Sequence, residues 1–342
     1  MGLRDVPYYE ASIGAKVGRT VRVHGLRRPE RASGRASNPE DGEWRPIPPG
    51  PERRFRRPIV ASPVATENRS DTFDIGGELT VNRLGFGAMR LTGEEIIGPP
   101  EDEEGAKDVL ERARDLGVDF VDTADSYGPA VSERLIGETL DPVEDDVVIA
   151  TKGGLWRDDR DGSWPSCGQP GYLRNAILGS LDRLGTETID LYQFHRPDPD
   201  VEYTDSIAAF AEFKDEGKVE HVGVSNVSVD QLEEAREVVE IATVQNQYNI
   251  GDRDSEEVLE YCENHDIGFI PWAPLGSGEL EGLEEVAENH DASSYQIGLA
   301  WLLQHSPVML PIPGTSSVEH LEENVAASEI SLSDEEIETI EN

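Results

Sequence analysis

Leu84-Gly85-Phe86-Gly87-Ala88-Met89-Arg90 is an apolar run followed by a loop, and its glycines decide between two architectures. A doubly wound dinucleotide-binding sheet needs G-x-G-x-x-G after its first strand, leading straight into a helix. Here two of the three glycines are present and no helix follows directly. Seven more short apolar runs come after it: Asp119 to Thr123, Val147 to Thr151, Ile189 to His195, Val222 to Ser225, Thr243 to Asn246, Ile267 to Pro271 and Val308 to Pro311.

Helical patterns separate them. Ala106, Val109, Leu110 and Ala113 recur at helical spacing and stop at Gly117, and Leu173, Ile177, Leu181 and Leu184 stop at Gly185. Ser228-Val-Asp-Gln231 is a capping box opening a later helix. Strands that alternate with single helices run parallel with right-handed crossovers, and eight of them close a (β/α)8 TIM barrel. Before the first run, Phe73-Asp-Ile-Gly76-Gly77-Glu-Leu-Thr-Val81 reads as an N-terminal β-hairpin around a Gly-Gly turn.

Charge divides the chain. Residues 1–66 hold 13 of its 30 Lys and Arg but only 7 of its 70 Asp and Glu. Rich in Arg and Pro and lacking a periodic apolar face, they read as a disordered basic extension, whereas 67–342 form the barrel domain. Deleting the extension is expected to leave fold and chemistry intact, and a downstream start at Val60 or Val64 is one origin for a shorter chain. The formal net charge of -40 opposes nucleic-acid and anionic-membrane roles. Acidic runs on every helical segment point to work at high salt. Two cysteines, Cys167 and Cys262, provide neither a disulfide framework nor a metal cluster, so no metal site is expected and a reduced cytoplasmic location is.

Barrels carry their chemistry at the carboxyl ends of the strands. There the second run ends in Asp122-Thr123-Ala124-Asp125-Ser126-Tyr127-Gly128, the third in Thr151-Lys152-Gly153 and the fourth in Leu191-Tyr192-Gln193-Phe194-His195. One Asp, one Tyr, one Lys and one His therefore converge on a single rim from three neighbouring strand ends, which is far less expected by chance than any one of them alone.

These motifs, in this order, resemble those of the aldo-keto reductase family, over nearly the whole body from about residue 73. The resemblance implies a catalytic tetrad of Asp122, Tyr127, Lys152 and His195 for hydride transfer to a carbonyl, in which Tyr127 donates a proton to the oxygen, Lys152 draws the phenol pKa toward neutrality, Asp122 keeps Lys152 charged, and His195 orients the oxygen or relays a proton. It also implies cofactor contacts from Ser225, Asn226 and Gln245 to a nicotinamide carboxamide, ring stacking on Trp272, and backbone passage over a pyrophosphate along Ala273, Leu275 and Ser277. Gly314, Thr315, Ser316 and His320 fall where the family holds an adenosine phosphate, and Glu323 and Asn324 where it holds adenine. Many members have Lys and Arg at the positions of Gly314 and His320, so NADP is favoured with NAD possible. The expected activity is NAD(P)H-dependent reduction of a small-molecule aldehyde or ketone, in a branch similar to general aldehyde or pyridoxal reductases, by a monomer or weak homo-oligomer. The alternative is a cofactor-binding regulatory subunit of the same fold. Met89, Arg90, Leu91, Trp156, Trp164 and Tyr248 are candidates for the walls of a substrate pocket.

Overall fold

The computed structural model describes residues 72–141, 145–276 and 283–341. The basic extension at 1–66 lies outside them. The first described elements are β1 (Thr72–Ile75) and β2 (Leu79–Asn82), paired antiparallel through Gly76 and Gly77 at φ +61° and +75°, a left-handed backbone that favours glycine. This is the expected hairpin. β3 (Phe86–Gly87), α1 (Glu103–Asp115), β4 (Phe120–Asp122), α2 (Val131–Thr139), β5 (Val148–Gly153) and α3 (Pro170–Leu184) follow. Next come β6 (Ile189–Phe194), α4 (Tyr203–Asp215), β7 (Val219–Ser225), α5 (Val229–Val238), β8 (Ile241–Gln247), α6 (Glu256–Glu263) and β9 (Gly268–Trp272). α7 (Leu283–His290), α8 (Ser294–His305), α9 (Val318–Ala326) and α10 (Asp334–Glu341) complete the order.

β3 to β9 form one parallel sheet in chain order. The eighth apolar run is not a regular strand, yet it bridges the two sheet edges. On one side Phe269 N–H donates to Val308 O and Leu310 N–H to Phe269 O, both at 2.8 Å. On the other, Gly85 N–H donates to Pro311 O at 2.9 Å and Gly87 N–H to Pro313 O at 3.2 Å. Pro311 and Pro313 have no N–H to return, so only half a ladder forms. The arrangement fits a (β/α)8 barrel.

Helix ends follow the local signals. Gly185 takes the left-handed C-terminal position of α3 at φ +67°, and Ser228 and Gln231 bond reciprocally across the first turn of α5. Side-chain alternation separates two cores. Val148, Ala150, Phe120, Leu191 and Ile270 point inward and cluster with Ile75, Leu79 and Val81 of the hairpin, while Val147, Ile149, Val121 and Tyr192 point outward into the layer shared with the helices. Each buried aliphatic side chain contributes about 1.5–3 kcal/mol. Two residues further along, the same inward register brings Asp122, Lys152, Gln193 and Trp272 to the carboxyl ends of the strands. The apolar hairpin cluster therefore leaves the polar groups together at the other end.

Candidate active site

Lys152 is fully buried, which costs several kcal/mol for an isolated ammonium. Its Nζ donates to Asp122 Oδ1 at 2.6 Å, to Thr123 O at 2.7 Å and to Tyr127 OH at 3.3 Å. Burial disfavours its charge, but Asp122 and Tyr127 outweigh that and hold the ammonium above its ordinary range. Asp122, itself 2 % exposed, accepts at Oδ2 from Gln245 Nε2 at 2.8 Å and Gln193 Nε2 at 3.2 Å. Its carboxylate thus joins β4 to β5, β6 and β8. Gln193 escaped the sequence reading, although its place between inward-facing Leu191 and His195 marked it as polar in the barrel interior.

Tyr127 sits below the rim with Lys152 Nζ 5.0 Å from its ring centroid and the His195 ring at 5.9 Å, edge-on at 81°. Burial raises the phenol above its usual range, Lys152 draws it down, and burial prevails. Lys152 draws this donor down as expected, but the hydration its anion loses on burial outweighs the effect of one ammonium, so the net shift is upward. Tyr127 stays protonated at neutral pH.

His195 is pushed well below the ordinary imidazole range by burial, then by Lys152 and Arg196. Its backbone N–H donates to Gly153 O at 2.9 Å, and Nδ1 is buried without a partner among the described residues. With neutral His195 and protonated Tyr127, kcat/KM for carbonyl reduction is expected to be flat from about pH 6.5 to 9. Initial rates across that interval test it. An inflection near pH 6.5 that disappears in His195→Ala contradicts it.

Hydrogen bonds extend this group across the rim. Ser225 Oγ donates to Gln245 O at 2.7 Å. Asn226, in the left-handed region at φ +58°, donates from Nδ2 to His195 O at 3.1 Å and to Ser225 Oγ at 2.9 Å. Its Oδ1 accepts from Trp272 Nε1 at 3.2 Å, which fixes a half-buried indole at the end of β9. Ala273 is exposed at φ +52°, Leu275 is half-buried, and Ser277 lies outside the described residues.

Gly314, Thr315, Ser316, His320, Glu323 and Asn324 form a second sector at α9. A Cβ on Gly314 would lie 2.8 Å from Gly87 O and 3.6 Å from Arg90 Cγ, so the chain passes closely there. Thr315 is buried and its Oγ1 accepts from Ser317 N–H at 3.0 Å, while Ser317 caps α9 by accepting from His320 N–H at 3.4 Å. Ser316, His320 and Glu323 are exposed and Asn324 is buried.

Of the candidate pocket walls, Trp164 stands edge-on to Tyr127, with centroids 6.5 Å apart at 82°. Trp156 is 41 % exposed and Leu91 is fully buried. Tyr248 belongs to the core instead. Its ring stacks on Trp301 at 6.2 Å and its hydroxyl bonds Glu256, because a buried phenol needs a partner and finds it on α6.

The family model described as the aldo/keto reductase family matches residues 83–342. An uncharacterized oxidoreductase of Schizosaccharomyces pombe is 48 % identical over 280 residues, covering 81 % of this chain and 90 % of that protein. Pyridoxine 4-dehydrogenase of Escherichia coli is 40 % identical over 282 residues, covering 80 % and 98 %. Among solved structures, a thermostable aldo-keto reductase aligns with a TM-score of 0.68 at 33 % identity, covering 77 % of this chain and 95 % of that one. An aldo/keto reductase of Klebsiella pneumoniae, in complex with NADP and acetate, aligns with a TM-score of 0.68 at 25 % identity, covering 79 % and 94 %. Sequence, domain match and barrel agree on one ancestry, and the chain belongs to the aldo/keto reductase family.

Proposed function

We propose that this protein reduces aldehydes or ketones to alcohols with NADPH, using Tyr127 as the proton donor. The observation that carries the reading is the buried chain from Asp122 through Lys152 to Tyr127, which ends on a protonated phenol beside a neutral imidazole. In the bound state the dihydronicotinamide supplies the hydride that attacks the carbonyl carbon. Tyr127 OH gives its proton to the carbonyl oxygen as charge gathers there. Lys152, 3.3 Å away, stabilises the phenolate left behind, and Asp122 keeps that ammonium charged and aimed. Neutral His195 donates to the same oxygen and orients it, and Trp164 walls the space beside Tyr127.

The residues present fit the cofactor. Gln245 spends its amide NH2 on Asp122 and keeps its Oε1 as acceptor for a carboxamide, with Ser225 and Asn226 beside it. Trp272 is held for stacking. The close approach at Gly314 and Gly87 allows backbone contact with phosphate, and the hydroxyls of Thr315 and Ser316 precede the N-terminus of α9. His320, Glu323 and Asn324 are assigned to the adenosine end. NADP over NAD is supported by the Klebsiella pneumoniae proteins in complex with NADP and with NADPH. Titration with each reduced cofactor, followed by tryptophan fluorescence, is expected to show tighter binding of NADPH. A preference of about tenfold for NADH contradicts the assignment.

No described helix is long and apolar enough to cross a membrane. A cytoplasmic, weakly associating enzyme working at high salt accords with the net charge of -40. NADPH oxidation with 4-nitrobenzaldehyde in molar KCl tests the function itself. Tight cofactor binding without reduction of any aldehyde, ketone or quinone overturns it.

A further inference from the structure

Among the described residues, acidic groups take up most of the cations. Arg134 pairs with Glu103 and Glu138, Arg174 with Glu212 and Glu216, and Arg183 with buried Glu133. Of the arginines with no ion pair among the described residues, Arg236 lies on α5 and bonds Tyr261 OH at 2.6 Å, while three others follow strand ends. Arg90, Arg157 and Arg196 come after β3, β5 and β6, and none of them has an ion pair among the described residues. Arg90 belongs to the cofactor sector, since its Cγ lies against Gly314. Arg157 lies over Trp164, the indole beside Tyr127, and Arg196 directly follows His195 in the chain.

Arg157 is only 8 % exposed. Its guanidinium donates to two backbone carbonyls, Glu95 O at 2.6 Å and Ser163 O at 3.4 Å, and Nε is buried with no acceptor. It lies 4.4 Å over the ring of Trp164, the indole that stands edge-on to Tyr127. Neighbouring Asp158 is held by Arg160, and Asp159 and Asp161 are exposed. Carbonyl dipoles and an aromatic face offset part of the cost of burying a cation, but they supply no counter-charge. Arg196 adds an exposed positive charge next to His195. On a body that repels anions, two cations without carboxylate partners, one over the indole beside Tyr127 and one next to His195 in the chain, make sense as a local exception that admits one.

We propose that the substrate carries an anionic oxygen group, a carboxylate or a phosphate, in addition to its reducible carbonyl, and that Arg157 and Arg196 recognise it. This inference rests on the reductase reading and narrows its substrate class. A guanidinium matches either oxyanion through charge-assisted, paired hydrogen bonds, and a neutral carbonyl compound leaves both cations unanswered.

The test compares substrates that differ in charge. One arm sets 4-carboxybenzaldehyde against methyl 4-formylbenzoate, and the other sets glyceraldehyde 3-phosphate against glyceraldehyde, all at one ionic strength with saturating NADPH. In at least one arm the anion is expected to be favoured in kcat/KM by about tenfold or more, and that arm identifies the oxyanion. Arg196→Gln, at an exposed position that leaves folding intact, and Arg157→Gln are each expected to cut that ratio by about fivefold or more, through a higher KM for the anion. Equal or better use of the neutral partner in both arms overturns the inference, as does a preference that survives both substitutions. Reduction of the neutral compounds alone leaves the reductase reading standing and removes only this one. Failure to reduce any of the four removes both.

Discussion

Tyr127→Phe is expected to lower the rate of carbonyl reduction by at least about two orders of magnitude, the scale of a lost general acid. The substitution keeps the ring and its edge-on contacts with His195 and Trp164, and it deletes the one hydroxyl that Lys152 approaches at 3.3 Å. Lys152 retains Asp122 and Thr123 O, so stability changes little. Cofactor affinity also changes little, because the groups assigned to the cofactor lie on β7 to β9 and at α9. Single-turnover rates with saturating NADPH, read beside a cofactor titration, separate the two quantities. Retention of more than half of the rate contradicts the assignment of Tyr127.

Lys152→Met combines loss of rate with loss of stability. It removes the countercharge from an Asp122 that is 2 % exposed and leaves the carboxylate only the amide donors of Gln193 and Gln245. Breaking a buried pair from one side costs about 3–5 kcal/mol, and turnover should fall by at least about a hundredfold as the phenolate loses its neighbouring cation. Adding Asp122→Asn to the same chain removes the stranded charge. The double variant is therefore expected to regain much of the stability and none of the activity. Urea unfolding of the three proteins checks this, and a Lys152→Met variant as stable as the parent shows that Asp122 does not carry a buried charge.

The regular parts of this molecule were legible because each strand end combines an apolar run with one polar residue in the inward register. Phe120 and Asp122, Val148 through Lys152, and Leu191 through His195 are examples. The hairpin and the helix stops at Gly117 and Gly185 were legible from glycine positions alone. Pairing was not: the run ending at Pro311 looked like a strand, and which of its groups pair depends on edges brought together only by closure. Tyr248 and Trp164 were equivalent as aromatic candidates in sequence. Only packing shows one bonded to Glu256 in the core and the other beside Tyr127. Proton affinities were the least legible, since the balance at Tyr127 depends on how completely the phenol is enclosed. The unpaired state of Arg157 likewise follows from where Asp158 and Arg160 point, which no spacing rule encodes.

The central claim, that this barrel transfers hydride to a carbonyl while Tyr127 protonates its oxygen, is tested most directly by isotope transfer. NADPH deuterated at the reactive nicotinamide carbon is mixed with 4-nitrobenzaldehyde and the enzyme, and the alcohol is analysed by mass spectrometry. One deuterium on the carbinol carbon per cofactor oxidised is the predicted result, with the yield collapsing in Tyr127→Phe. Cofactor that quenches tryptophan fluorescence yet delivers no deuterium to any carbonyl would contradict the account and leave a cofactor-binding regulatory subunit in its place.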